Sequence, residues 1–152
     1  MKITAELIRE VREESGAGVM RAKQVLEEVG GDKVKAVKIL REEGFSKLAK
    51  RAERETSAGF IATYRHHTGT IAALVELNCE TDFVAKNELF IETANNIAMQ
   101  VASMNPSSEE ELLSQSFIKN PEKTIEELIK EVNAKTGENT RLGKFVRLAV
   151  GE

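Results

Sequence analysis

Through the first 55 residues, apolar side chains recur every three or four positions; beyond residue 57 the period changes. Leu7, Ile8 and Val11 fall on one stripe of a first helix that Thr4 can cap. Ser15-Gly16-Ala17-Gly18 interrupts it, the two glycines supplying the permissive backbone of a tight helix-to-helix turn. A second helix carries Val19, Ala22, Val25, Leu26 and Val29 at helical spacing and ends at Gly30-Gly31. Asp32 caps a third, with Val37 and Leu40 inward and Gly44 as its stop. Residues 1–45 are thus predicted to form a three-helix bundle. Residues 46–56 follow as a charged linker helix, in which Lys47, Lys50, Arg51 and Arg54 surround Leu48 and two alanines. A solvated face accounts for that charge better than a phosphate site does.

Residues 60–64 and 70–75 are β-rich runs, and His66-His67-Thr68-Gly69 between them is a hairpin signal. A long helix over 87–104 carries Phe90, Ile91, Ala94, Ile97, Ala98 and Val101 at spacings of three and four until Asn105-Pro106 stops it. Ser107-x-x-Glu110 and Thr124-x-x-Glu127 read as capping boxes. The second opens a helix over 124–136 with Ile125, Leu128, Ile129 and Val132 inward, ended by Gly137. Val146, Leu148 and Val150 alternate in a third strand, and the three strands are expected to present one buried face. The predicted fold class is α+β. It combines a three-helix bundle of the ubiquitin-associated type with a core domain over 57–152, a three-stranded antiparallel sheet packed by helices.

Composition supports a folded chain: hydrophobic residues make up 41% and charged residues 31% of 152, enough to bury a real core. Net charge is −3 but uneven, near +2 over residues 1–56 and near −5 over the remainder. Nucleic-acid binding calls for a net basic face, so the acidic second half points to a protein partner instead. No apolar run approaches the roughly 20 residues that span a bilayer, so no membrane role is expected. The first residues lack the apolar core of a secretory signal, and a single cysteine fits a reducing compartment, so a cytoplasmic location is expected.

Candidate catalytic groups are few. His66 and His67 are adjacent, and on a strand they would point to opposite faces and fail to chelate together. With two histidines and one cysteine, no zinc site is expected. Cys79 ends an apolar strand, where a packed thiol is the plain reading and a nucleophile the sharper one. No phosphate-cradling glycine-rich loop occurs, and Gly16 and Gly18 follow no strand, so no cofactor is expected.

The most informative stretch is Glu76-Leu77-Asn78-Cys79-Glu80-Thr81-Asp82-Phe83-Val84-Ala85-Lys86. An apolar strand breaks into a polar tip, and the pair Phe83-Val84 follows where capping residues are expected. Asp82 can cap the next helix, which leaves a bland reading in which Phe83 is tucked into its own core. The stretch also resembles, almost residue for residue, a signature of the elongation factor Ts family, which exchanges the nucleotide on the translation GTPase elongation factor Tu. Two more blocks resemble that family in the right order. One is Val11-Arg12-Glu13-Glu14-Ser15-Gly16-Ala17-Gly18-Val19-Met20 with Lys23, Leu26, Gly31-Asp32 and Ala36; the other is Gly137-Glu138-Asn139 leading into the last strand.

The resemblance implies an exchange factor with no chemical step of its own. Arg12, Val19 and Met20 would lie against a helix of the partner's G domain. The Thr81-Asp82-Phe83-Val84 loop would insert Phe83 beside the partner's magnesium site and release GDP. Thr136 and Gly137 would touch the partner near its phosphate-binding region. The chain departs from the family at Arg21 and Ala22, where an acidic residue and a cysteine are common, and at Thr136, where an aliphatic residue is common. It resembles the short forms, which have one core half and pair two chains, so a homodimer is expected. The alternative is a binding scaffold of the same fold without exchange activity.

Overall fold

In the computed structural model, which describes residues 2–152 and all their side chains but those of Leu48, Ala49 and Arg51, Thr4 opens the first helix. Its hydroxyl accepts the Leu7 N–H at 3.2 Å, satisfying one of the donors that a helix start leaves free. Helix α1 (Ala5–Ser15) stops at Gly16, where φ is 71°, and α2 (Val19–Glu28) and α3 (Lys33–Arg51) follow. The Asp32 carboxylate accepts the Lys35 N–H at 3.1 Å at the start of α3. Val11, Ala22, Val25, Leu26, Ala36, Val37 and Leu40 form one buried cluster among the three helices.

Gly44 does not stop α3, which runs through it to Arg51, so no separate linker helix begins at residue 46. A glycine ends a helix by taking a left-handed φ, and Gly44 is not among the glycines that do. Left helical, it costs about 0.5–1 kcal/mol relative to alanine, which the helix formers on either side outweigh. The expected grouping of Arg51 around Leu48 lies outside the described residues. The chain divides into two compact units, Met1–Glu53 and Arg54–Glu152.

The second unit mixes strands and helices: β1 (Ala58–Arg65), β2 (Ile71–Cys79), α4 (Asp82–Ala85), α5 (Glu88–Met104), α6 (Glu109–Ser114), β3 (Ser116–Phe117), β4 (Asn120–Thr124), α7 (Ile125–Thr136) and β5 (Arg141–Ala149). Strands β1, β2 and β5 form one antiparallel sheet in that order. Ala62, Ala73, Val75 and Leu77 of the sheet share a buried core with Phe90, Ala94, Ile97, Ala98 and Val101 of α5 and with Leu112, Ile125 and Val132 beyond it. The Thr124–Glu127 capping box is present, with both reciprocal bonds formed. The earlier cap falls one residue later than its pattern: Ser108 caps α6, and the Glu111 carboxylate takes the Ser107 N–H.

Two further features differ from the sequence reading. Val146 and Leu148 lie on the exposed face of the last strand, with Leu148 76% exposed, and Val150 falls beyond its end, so the alternation marks the outside of the strand. The cause is a register shift: Val75 pairs with Phe145 but Leu77 with Leu142, and the extra residue in β5 changes which positions face inward. Gly143 sits in that shift, where a Cβ would come within 2.1 Å of the Glu76 Oε1. The short β3–β4 hairpin was not expected, because Asn120-Pro121-Glu122-Lys123 offers no apolar alternation to betray a strand.

Gln100, fully buried on α5, replaces that missing apolar signal with hydrogen bonds. Its Nε2 donates to the Gln115 Oε1 (3.2 Å) and the Ser116 carbonyl (3.1 Å), and its Oε1 accepts the Ile118 N–H (3.1 Å). Gln100→Leu orphans those groups and should destabilise the protein by about 1–3 kcal/mol. Urea unfolding reads this as a lower midpoint at unchanged slope; an unchanged midpoint would show that the amide anchors nothing.

Candidate functional site

At the end of β2 the chain turns into α4, a helix of one turn. Such a helix has no stability of its own, so its orientation comes from what it packs on. Val84 and Ala85 are buried in the core, 5% and 7% exposed. At about 100° per residue, burying those two turns Asp82 and Phe83 outward. Phe83 is 85% exposed, which excludes the reading in which it belongs to the core. Val84, grouped with Phe83 as a contact residue from sequence, is buried and seats the turn on the core. The cap is Thr81 rather than Asp82: its hydroxyl accepts the Val84 N–H at 3.4 Å. Asn87 then caps α5, accepting from the Leu89 and Phe90 amides.

A second turn, between α7 and β5, is tied to the first. Gly137 ends α7 at φ 75°, and its N–H donates to the Asn133 carbonyl at 3.0 Å. Thr136 donates its hydroxyl to the Val132 carbonyl (2.7 Å) and accepts the Glu138 N–H (3.4 Å). A hydroxyl at this position therefore braces the turn, a bond that an aliphatic residue would lack. Glu138 then reaches across to the β2–α4 junction. Its Oε1 accepts the Glu80 and Thr81 amides at 3.1 and 2.9 Å, and its Oε2 accepts the Thr81 hydroxyl at 2.7 Å. The Glu80 carboxylate returns the contact by accepting the Asn139 N–H at 2.7 Å, and lies 3.6 Å from the Arg54 guanidinium. Asn139 is buried and donates its side-chain amide to the Arg54 carbonyl at 2.9 Å. Sequence reading included Glu80 and Glu138 in its informative blocks but gave them no role, since their pairing spans 57 or 58 residues.

In the helical unit, Arg12 is in the last turn of α1 and is exposed, as are Val19 and Met20 at the start of α2. Val19 therefore leaves the core stripe to which helical spacing assigned it. Arg21 does not add free charge there. Its guanidinium bonds Glu43, and lies 3.2 Å from Glu28 and 3.3 Å from the Gln24 Oε1. The bond to Glu43 holds the Glu43 carboxyl below the usual carboxylate range.

The remaining candidates from sequence are Cys79 and the two histidines. Cys79 is fully buried, and its S–H donates to the Thr81 carbonyl at 3.2 Å. Burial pushes its thiol pKa up, with the charge of Glu138 adding to the shift, so the nucleophilic thiolate is disfavoured. His66 and His67 do not point to opposite faces: β1 ends at Arg65, both lie in the turn, and their rings are 4.2 Å apart. His66 Nδ1 is 3.1 Å from the Tyr64 hydroxyl. Among the described residues, no group of three or more His, Cys, Asp or Glu is placed to hold a metal ion. Nor, among them, is any helix long and apolar enough to cross a membrane.

Comparison with known proteins places the chain in a family. The family model described as Elongation factor TS matches residues 20–108 and 80–152. An Elongation factor Ts of Nitratidesulfovibrio vulgaris is 41% identical over 196 residues, covering 99% of this chain and 98% of that protein. One from Thermosipho melanesiensis is 40% identical over 195 residues, covering 99% of this chain and all of that protein. Because those alignments exceed the 152 residues of this chain, a part of each relative has no counterpart here. An Elongation factor Ts of Clostridium botulinum is 43% identical over 148 residues, 97% of this chain and 48% of that protein. The chain belongs to the elongation factor Ts family, whose members are translation elongation factors.

Proposed function

We propose that this chain is a guanine-nucleotide exchange factor for the translation GTPase elongation factor Tu, acting in the cytoplasm where translation runs. The observation that carries the reading is Phe83, an aromatic held outward on one helical turn. An exchange factor needs no acid, base, metal or cofactor of its own. It must bind the nucleotide-free GTPase more tightly than the loaded one, and linkage then weakens the nucleotide by the same factor. Thr81, Asp82 and Phe83 form the inserting edge near the partner's magnesium site, with Val84 seating it from below. Burying a phenylalanine in a partner pocket contributes about 1.5–3 kcal/mol, and such aromatic anchors are typical of binding hot spots. Thr136 and Gly137 touch the partner beside its phosphate-binding region. The helical unit, a bundle of the ubiquitin-associated type, grips the G domain through Arg12, Val19 and Met20. Arg21, neutralised by Glu43 and Glu28, leaves that grip apolar at its centre.

The chain is further read as a homodimer. Leu74, opposite Val146, and Ile61 and Leu148 nearby are exposed on the face of the sheet. A contiguous apolar face of this kind marks an interaction surface, and a two-fold pair of identical sheets buries it on both copies.

Added to elongation factor Tu loaded with fluorescent GDP, the chain should speed release in proportion to its concentration. Phe83→Ala should slow that release by about tenfold or more, since one anchor of about 2 kcal/mol is lost, while the melting temperature stays nearly constant. Complex formation with unchanged release would leave a scaffold in place of an exchange factor. Sedimentation equilibrium at micromolar concentration should give twice the 16.8 kDa chain mass, with Leu148→Lys shifting it toward one chain. A mass of 16.8 kDa at every concentration would exclude the dimer.

A further inference from the structure

The turn that bears Phe83 is too short to orient itself, yet an inserting side chain must be presented in one direction. A loop that has to be ordered at the insertion step loses part of the insertion free energy to that ordering, whereas a loop held beforehand does not. Val84 and Ala85 hold the turn from beneath. What holds it from the side is Glu138, whose two carboxylate oxygens take both the Glu80 and Thr81 amides and the Thr81 hydroxyl. These are charge-assisted bonds, roughly twice as strong as neutral ones. Glu80 closes the loop by accepting the Asn139 amide directly after Glu138. Each turn thus lends a carboxylate to the other's backbone.

We infer that Glu138 and Glu80 form a reciprocal carboxylate clamp that makes Glu138 a positioning residue for Phe83 and couples the Thr136–Gly137 turn to the inserting turn. This rests on the exchange reading above. Neither glutamate needs to touch the partner; Glu138 acts through Thr81. The coupling also gives the second turn a purpose beyond its own contact. A partner that presses on Thr136 and Gly137 presses, through Glu138, on the turn that carries Phe83. Thr81 sits at the centre of the arrangement: its amide and hydroxyl hydrogens go to Glu138, and its hydroxyl oxygen caps α4. Cys79 adds a bond to the carbonyl of the same residue, which gives the buried thiol a structural place in the clamp.

The test uses the full chain with Glu138→Ala, Glu138→Gln and, as a control, Thr124→Ala, which weakens the start of α7 without touching the clamp. GDP release from elongation factor Tu is followed over a range of factor concentrations, and amide hydrogen exchange is measured on each free variant. Loss of charge-assisted bonds should lower the maximal release rate of Glu138→Ala by about tenfold or more. The half-saturating concentration should stay within about twofold, since the helical unit and Phe83 itself are intact. Glu138→Gln keeps a neutral oxygen for the two amides but loses the charge and the acceptor of the Thr81 hydroxyl, and should recover part of the rate. Exchange of the Thr81 amide should speed up in Glu138→Ala and remain slow in Thr124→Ala. A Glu138→Ala variant as fast as the unaltered chain overturns this inference alone. So does a fall matched by Thr124→Ala at equal melting temperature, or an effect confined to the half-saturating concentration. If the unaltered chain does not speed release, the exchange reading fails and this inference fails with it.

Discussion

The packing of α5 across one face of the three-stranded sheet is the constraint on which the rest of the second unit depends. Phe90, Ala94, Ile97, Ala98 and Val101 form a stripe at helical spacing that meets Ala62, Ala73, Val75 and Leu77 from the strands. Burying that much apolar surface is the dominant favourable contribution in a unit of this size. Two consequences follow from its being one-sided. The chain must turn from the end of β2 into α5 within a few residues, which forces a single helical turn at residues 82–85. The opposite face of the sheet is left with exposed apolar side chains.

That short turn shows how local chemistry and tertiary packing divide the work. Thr81 gives the turn a cap, but a four-residue helix has no independent stability, so capping alone cannot hold it. Val84 and Ala85 anchor it to the core, and their burial decides that Phe83 faces out. The carboxylates of Glu80 and Glu138 supply what the core cannot, a lateral tie to a turn far along the chain. The half-buried Glu80 amide, just past the end of β2, is satisfied by this tie rather than by the sheet. Apolar burial orients the turn, and charge-assisted hydrogen bonds fix it in place.

Much of this was legible from the residues. Helical and strand periods located the main helices and the three strands of the sheet because each has one buried face, and Thr4, Asp32 and Thr124 marked starts that the structure uses. Misreadings arose where tertiary context overrode a local signal. Gly44 reads as a stop, yet lacks the left-handed backbone that stops a helix. Val146 and Leu148 read as a buried stripe, because alternation cannot say which face is inward and a one-residue shift in β5 reverses it. At the site, the exposure of Phe83 and the burial of Val84 could not be separated by hydropathy, since both are apolar. The pairing of Glu138 with Thr81 was illegible for another reason: contacts between residues this far apart leave no periodic trace.

On the proposed exchange role, the chain prefers the nucleotide-free GTPase, with Phe83 carrying much of the preference. Calorimetric titration of the full chain into elongation factor Tu, once nucleotide-free and once loaded with GDP, measures it directly. Tighter binding to the nucleotide-free form is expected, by the same factor by which the chain weakens GDP binding, with most of the difference lost in Phe83→Ala. Equal affinity for the two forms would contradict it.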